Sequence, residues 1–318
     1  MRILLTGASS FTGYWFARQL SEAGHELVMP LRRARHEYED VRRQRVDGIA
    51  AFGQTIDNCS FGDERFMRLI ADADRWDVLC HHAADVTDYK SADFDVAGAL
   101  RNNTHNLKPA LEALAARGCQ RLVLTGSVFE PGEGAGSEGL PAFSPYGLSK
   151  ALTAQVADYY AQQTDMHFGK FVIANPFGPC EEPRFTRYLL RTWFAGETAS
   201  VRTPAYVRDN IHVSLLARAY ARFVNDLPAT AGQSKLNPSG YIESQGAFAE
   251  RFAREMRPRL GLDCALELAT QTEFTEPRIR INTDALDAAA LGWSERDAWD
   301  AVAEDARRLF SVGVAGHE

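Results

Sequence analysis

The sequence predicts an α/β fold: a doubly wound parallel sheet with a smaller α/β lobe interleaved at its C-terminal side. Three observations predict it. Short apolar runs such as Arg2–Thr6 and Arg121–Thr125 read as strands buried on both faces. Segments of helical period alternate with those runs through the first half of the chain. Beyond about residue 174 the alternation loosens, yet no internal repeat or low-complexity linker marks off a separate bead.

Composition bounds the function classes. A chain of 318 residues has room for one large or two modest domains, and 45% hydrophobic with 24% charged residues is the balance of a globular protein. The net charge of −7 argues against nucleic acid, whose phosphates need a basic face. Arg32, Arg33, Arg35, Arg42, Arg43 and Arg45 do cluster, but interspersed Glu37, Glu39 and Asp40 make a solvated surface the expectation there. Five scattered cysteines with no Cys-x-x-Cys pair suit a reducing compartment and give no zinc spacing. Met1–Leu5 runs straight into a strand, so no secretory signal is read, and no apolar stretch approaches the ~20 residues of a membrane span. A cytoplasmic protein with no membrane partner is the expectation.

Taken in order, Arg2–Thr6 is the first strand and Gly7-Ala8-Ser9-Ser10-Phe11-Thr12-Gly13 follows it. A helix with Trp15, Phe16 and Leu20 apolar ends at Gly24, and His25–Leu31 is a second strand. Strand, glycine turn, helix and strand within about thirty residues is the setting in which such a turn cradles a dinucleotide. The glycines permit close backbone approach, and the helix N-terminus offers N–H groups to a pyrophosphate. Ser10 stands where a middle glycine is usual. Arg32 and Arg33 follow the second strand where an acidic residue would hold ribose hydroxyls; arginine there suits a 2′-phosphate and favours NADP(H) over NAD(H).

Asp57 follows a third strand. Asp77–Ala84 is a fourth strand running into a small-residue turn, with Ala83 and Ala84 positioned to lie beneath an adenosine. His81 and His82 read as packing or turn residues; without acidic or cysteine partners at metal spacing, no metal site is expected. One helix is expected over 97–117, then the strand Arg121–Thr125 leading to Ser127. In an open parallel sheet, ligands bind beyond the carboxyl ends of the strands, so Thr6, Ala83 and Ser127 share one crevice. The Gly132–Gly139 stretch reads as a mobile loop beside it.

A helix is expected from Leu148 to Tyr160, with Pro145 in or before its first turn. Tyr146 and Lys150 are four apart and share a face. A free phenol titrates at roughly 10, too high for a base at neutral pH, and a neighbouring ammonium lowers that value. Lys170–Ala174 is a sixth strand ending at Asn175-Pro176-Phe177-Gly178-Pro179. Helices are expected over 184–191, 214–226, 244–260 and 294–310, and a strand and turn over 207–213.

With Gly7–Gly13, Ser127, Tyr146-Gly147-Leu148-Ser149-Lys150 and Asn175–Pro179 in this order, the chain resembles the extended short-chain dehydrogenase/reductases. More narrowly it is similar to their nucleotide-sugar epimerase/dehydratase branch, whose Arg-Asp-x-x-x-Val segment matches Arg208–Val213. The resemblance implies a Rossmann-type domain over 1–173, rejoined by a segment near 207–226, and a mainly substrate-binding lobe over 174–318. It implies that Tyr146 is the acid/base, that Lys150 lowers its pKa and holds the nicotinamide ribose, and that Ser127 bonds the reacting sugar oxygen. Gly7, Ser10, Phe11, Thr12 and Gly13 fall at the pyrophosphate loop and Asp57 at an adenine contact. Asn175 and Arg208 fall at substrate positions, the Arg208 fork suiting a diphosphate. A homodimer joined through the helices at 97–117 and 148–163 is also implied.

Departures from the family pattern narrow the reaction. Val128 and Phe129 stand directly after Ser127, where dehydratases carry an acidic pair, and the acid comes only at Glu130. A 4,6-dehydratase is disfavoured. Val172 replaces an arginine often seen three residues before the Asn. An NAD(P)-dependent nucleotide-sugar epimerase is the first reading, and an NADPH-dependent 4-keto-sugar reductase the alternative. A dinucleotide-binding sensor without catalysis stands behind both, because fold does not fix function.

Overall fold

The structure is a computed structural model and describes residues 1–310. Seven strands form the central sheet: β1 (Arg2–Thr6), β2 (Glu26–Pro30), β3 (Gln54–Ile56), β4 (Val78–His81), β5 (Arg121–Ser127), β6 (His167–Ile173) and β7 (Gly232–Leu236). Their order is β7-β6-β5-β4-β1-β2-β3, and every pairing is parallel. The winding reverses between β1 and β4, which opens a crevice beyond their carboxyl ends.

The helices, numbered along the chain, are α1 (Phe11–Glu22), α2 (Asp40–Ile49), α3 (Glu64–Ala71), α4 (Val96–Asn103) and α5 (Leu107–Ala115). They continue with α6 (Pro145–Gln163), α7 (Phe185–Phe194), α8 (Val213–Asp226), α9 (Gln245–Leu260) and α10 (Glu295–Phe310). On one face of the sheet Phe16 and Leu20 of α1 pack with Tyr220 and Val224 of α8 against Ile3 and Leu5. Phe16 and Tyr220 stack with ring centroids 3.9 Å apart. On the other face Phe66, Leu111 and Ala157 cover Leu79 and Leu122. Each fully buried Phe or Leu contributes roughly 1.5–3 kcal/mol, so the apolar strand runs specify a two-sided sheet. A third core, built on Phe177, Trp193, Phe252 and Trp299, belongs to the C-terminal elements.

Four expectations change. The single helix over 97–117 is two, broken at Thr104-His105-Asn106: Asn106 takes φ +51°, and its amide donates to the Gly62 carbonyl at 2.7 Å. The Gly-rich stretch is pinned, because Ala135–Gly136 pairs antiparallel with Ile279–Ile281. Arg45 is no solvated cation; it is fully buried. The seventh strand of the sheet went unread, since Gln233, Ser234 and Lys235 give β7 no apolar run.

Candidate active site

The Tyr146 helix begins as its sequence dictates. Ser144 caps α6 by accepting from the Gly147 N–H at 3.2 Å, and Pro145 occupies the first turn. Gly147 is required by contact: a Cβ there would lie 2.1 Å from the Phe129 carbonyl oxygen. The first turn of α6 is thereby laid against the turn that follows Ser127.

Ser127 ends β5, where its Oγ accepts from the Phe129 N–H at 3.2 Å. Its own N–H donates to Glu130 Oε1 at 2.7 Å. The other Glu130 oxygen accepts from Lys170 at 2.5 Å, and Lys170 also reaches Glu133 at 2.8 Å. Glu130 is wholly buried, so its carboxylate is committed to the strand end and to Lys170.

Tyr146 is half-buried, with Tyr89 and Phe94 edge-on to its ring at 5.6 and 5.9 Å between centroids. Burial pushes its phenol up from the ordinary value, and the charges of Glu130 and Tyr89 push the same way. The cation that draws it back is Arg184, beyond the Asn175–Phe177 strand, and not Lys150. Lys150 is 3% exposed and donates its ammonium to the Thr125 carbonyl at 2.6 Å. Burial, with Lys170 nearby, lowers its pKa to about 8 against the opposing pull of Glu130.

At the glycine turn, Gly7 adopts φ +76°, and a Cβ there would meet the Ala83 nitrogen at 2.7 Å. Ala83 donates its N–H to Thr6 Oγ1 at 3.0 Å, so the two turns interlock. Ser10 answers its departure from glycine by capping α1: its hydroxyl donates to the Gly7 carbonyl at 2.9 Å and accepts from the Gly13 N–H at 3.1 Å. His82, read from sequence as a packing or turn residue, holds this turn. Its Nε2 lies 3.0 Å from the hydroxyls of both Ser10 and Thr12, and its Nδ1 lies 2.9 Å from Thr125 Oγ1. Because the Ser10 proton goes to Gly7, Nε2–H is the donor to Ser10 and Nδ1 accepts from Thr125. Burial and the Lys150 charge keep that imidazole neutral, with a pKa of about 3. The N–H groups of Phe11 and Thr12 have no hydrogen-bond partner among the described residues.

Ala84 follows Ala83 half-buried in the same turn. Arg32 and Arg33 are exposed after β2, and the Arg32 charge reaches Asp85 beyond β4. Asp57 follows β3 and accepts from the Arg35 N–H at 3.1 Å. Asn175 pairs in register with Asn210. Arg208 is engaged within the protein: one nitrogen donates to Glu276 at 2.9 Å, the other to the carbonyls of Val207 and Pro277, both at 3.0 Å. Its guanidinium also lies over Phe143 and Tyr206, at 5.4 and 4.6 Å from the ring centroids.

Thus a chain of bonds runs from Lys150 through Thr125 and His82 to Ser10 and Thr12 of the glycine turn, with Ala83 packed on Gly7, while the Arg208 guanidinium lies over Phe143. Thr125, His82, Glu130 and Arg184 also belong to this neighbourhood and were not singled out from sequence as site residues. The offset of two between Thr125 and Ser127 on one strand was the legible signal; nothing local marks Arg184. No group of three or more potential metal-ligating side chains exists among the described residues, and no described helix is long and apolar enough to cross a membrane.

The sequence model of the NAD dependent epimerase/dehydratase family matches residues 3–236. Comparison with curated protein sequences returned no match. Among solved structures, UDP-glucuronic acid 4-epimerase from Bacillus cereus, in complex with UDP-glucuronic acid and NAD, superposes with a TM-score of 0.73 at 16% identity. That match covers 98% of this chain and 100% of that one. UDP-glucose 4-epimerase from Thermotoga maritima gives 0.72 at 19% identity, covering 97% and 99%. The UDP-glucose 4-epimerase of Thermus thermophilus, in complex with NAD, gives 0.70 at 18%, covering 96% and 99%. At these identities the likeness concerns the fold. The matched profile spans most of the chain and shows that it belongs to the NAD dependent epimerase/dehydratase family.

Proposed function

We propose that this protein is an NAD(P)-dependent nucleotide-sugar epimerase acting at a sugar carbinol carbon. The observation that carries it is the packing of the first turn of α6, which holds Tyr146, on the carbonyl of Phe129, two residues past Ser127. Solved structures of the same fold are 4-epimerases with UDP-sugars and NAD, which supports this substrate class. We take residues 1–173, with the return near 207–226, as the dinucleotide half, and the remainder of 174–318 as the sugar-nucleotide half.

The residues fit a dinucleotide. The unpartnered N–H groups of Phe11 and Thr12 at the start of α1 are the donors a pyrophosphate needs. Gly7, Ser10, Gly13, Ala83 and Ala84 would line the cofactor, with Asp57 toward its adenine. Arg32 and Arg33, exposed after β2, favour the 2′-phosphate of NADP(H). A bound nicotinamide would supply the hydride acceptor and donor for the sugar carbon. Tyr146 moves the proton of the sugar hydroxyl, Ser127 holds that oxygen by hydrogen bonding, and Lys150 supplies positive charge behind them. Asn175 and Arg208 would orient the sugar nucleotide. Arg208 then exchanges Glu276 for the diphosphate.

A 4-keto-sugar reductase is the second reading, favoured by one observation. Burial and Glu130 raise the Tyr146 phenol, favouring the protonated form that gives a proton to a carbonyl. A 4,6-dehydratase stays disfavoured, because the one acid after Ser127 is bonded to Lys170 and a backbone N–H. The functional test offers UDP-glucose, UDP-glucuronic acid and a UDP-4-keto-sugar, with NAD and NADPH in turn. Epimer formation without net cofactor consumption supports the proposal. Stoichiometric NADPH oxidation establishes the reductase instead, and tight dinucleotide binding with no turnover on any of these substrates leaves the sensor. We further propose a homodimer through α4, α5 and α6, whose mass light scattering reads directly.

A further inference from the structure

The fully buried side chain of Arg45 joins two parts of the chain that are distant in sequence. Its Nε donates to the Ser9 carbonyl, inside the glycine turn, at 3.1 Å. Its two terminal nitrogens donate to the Cys180 carbonyl at 2.8 Å and to Glu182 Oε1 at 2.5 Å. A guanidinium is suited to this, since its planar donors serve three acceptors at fixed angles. A buried cation is also costly to leave unpaired, so all three partners are held together.

The segment it grips is held by other helices as well. Residues 179–182 are fastened from three helices: Trp15 of α1 donates to the Pro179 carbonyl at 3.0 Å, Arg45 of α2 holds Cys180 and Glu182, and Asp305 of α10 accepts from the Cys180 N–H at 3.4 Å. Cys180 itself adopts φ +66°, an uncommon conformation for a residue with a side chain. Glu181 next to it is buried, its carboxylate accepting from the Thr186 hydroxyl at 2.5 Å. Two residues past Glu182 stands Arg184, the cation whose charge reaches Tyr146. The connections therefore lead without a break from the glycine turn through Arg45 to the 179–184 strap.

We propose that Arg45 is a positioning residue that couples dinucleotide occupancy of the glycine turn to the order of the 179–184 strap. The inference rests on the dinucleotide reading given above. Fixing the turn from its ligand side fixes the Ser9 carbonyl, hence the guanidinium plane, hence Cys180 and Glu182. The two sites then share a coupling free energy, of a size that elsewhere corresponds to roughly 5–150-fold in affinity.

The test is hydrogen–deuterium exchange on the full chain, with and without saturating NADH or NADPH, in wild type, Arg45→Met, Arg45→Lys and Glu182→Gln. In wild type, dinucleotide slows exchange both in residues 7–13 and in residues 180–187, the latter at least threefold. In Arg45→Met the first protection remains and the second disappears; Arg45→Lys and Glu182→Gln, which keep part of the bonding, give an intermediate response. Undiminished protection of 180–187 in Arg45→Met overturns the proposal, and if that variant does not fold, undiminished protection in both other variants does so. Absence of protection in residues 7–13 of wild type with either dinucleotide is a different failure: it refutes the dinucleotide reading, and the coupling falls with it.

Discussion

Lys150 donates its ammonium to the carbonyl oxygen of Thr125 at 2.6 Å, two residues before β5 ends at Ser127. The same Thr125 hydroxyl lies 2.9 Å from His82, which in turn holds Ser10 and Thr12. One strand residue thus connects the Tyr146 helix to the glycine turn. The arrangement assigns Lys150 a structural bond at the strand end, and leaves the Tyr146 phenol raised by burial rather than lowered by that ammonium.

Tyr146→Phe removes the hydroxyl and keeps the ring against Tyr89 and Phe94. The expected loss in kcat is about 10²–10⁴-fold, the usual contribution of a positioned acid/base. Dinucleotide affinity should stay within about threefold, since uniform binding is untouched. Steady-state kinetics paired with calorimetry checks both; retention of full turnover would remove Tyr146 from the mechanism.

Lys150 makes stability depend on pH in a defined window. Its folded pKa is lowered from 10.5 to about 8, so between those values the unfolded chain binds the extra proton. Stability from this group therefore rises with pH across that window, by about 1.4 kcal/mol per unit at most. Lys150→Met abolishes the rise. Urea denaturation at pH 8 and 10 should show wild type gaining about 2 kcal/mol relative to the variant, and parallel behaviour of the two proteins would contradict the assignment.

His212 is one of the buried histidines through which acid acts. This imidazole is 1% exposed, its Nδ1 lies 2.7 Å from the Ser214 hydroxyl, and burial lowers its pKa to about 3. The native state keeps it neutral while the unfolded chain takes up a proton near 6.5, so stability falls as pH drops below 6.5. By pH 4.5 the loss is about 2–3 kcal/mol for one such histidine. His212→Asn, which keeps a polar atom toward Ser214, should flatten that limb by close to one proton; an unchanged slope in denaturation at pH 6.5 and 4.5 would show that another group titrates.

Cofactor choice is expected to follow the exposed pair after β2. Arg32→Ala with Arg33→Ala should weaken NADP(H) binding at least tenfold, the ~1.4 kcal/mol or more of a lost charge-assisted contact, and leave NAD(H) within about twofold. Titration of each dinucleotide into both proteins measures it. Equal loss for the two would assign the arginines to general electrostatics.

The sequence by itself determined six strands of the parallel sheet, the glycine turn and the helix that carries Lys150. These rest on local physics: apolar strand runs, the freedom of Gly7, and Pro145 at the head of a helical run. It misread what depends on partners far along the chain. Arg45 reads as one more cation in a charged run, yet Ser9, Cys180 and Glu182 enclose it. The Gly132–Gly139 stretch reads as free, yet Ile279–Ile281 pairs with it. Arg208 reads as an open fork, yet Glu276 fills it. Tyr146 and Lys150 share a helix face as their spacing requires, but which cation reaches the phenol was decided by where β5 and the 179–184 strap come to rest. Spacing along a helix fixes neighbours within a turn or so, whereas burial and charge at a site are set by segments that meet only once the cores have packed.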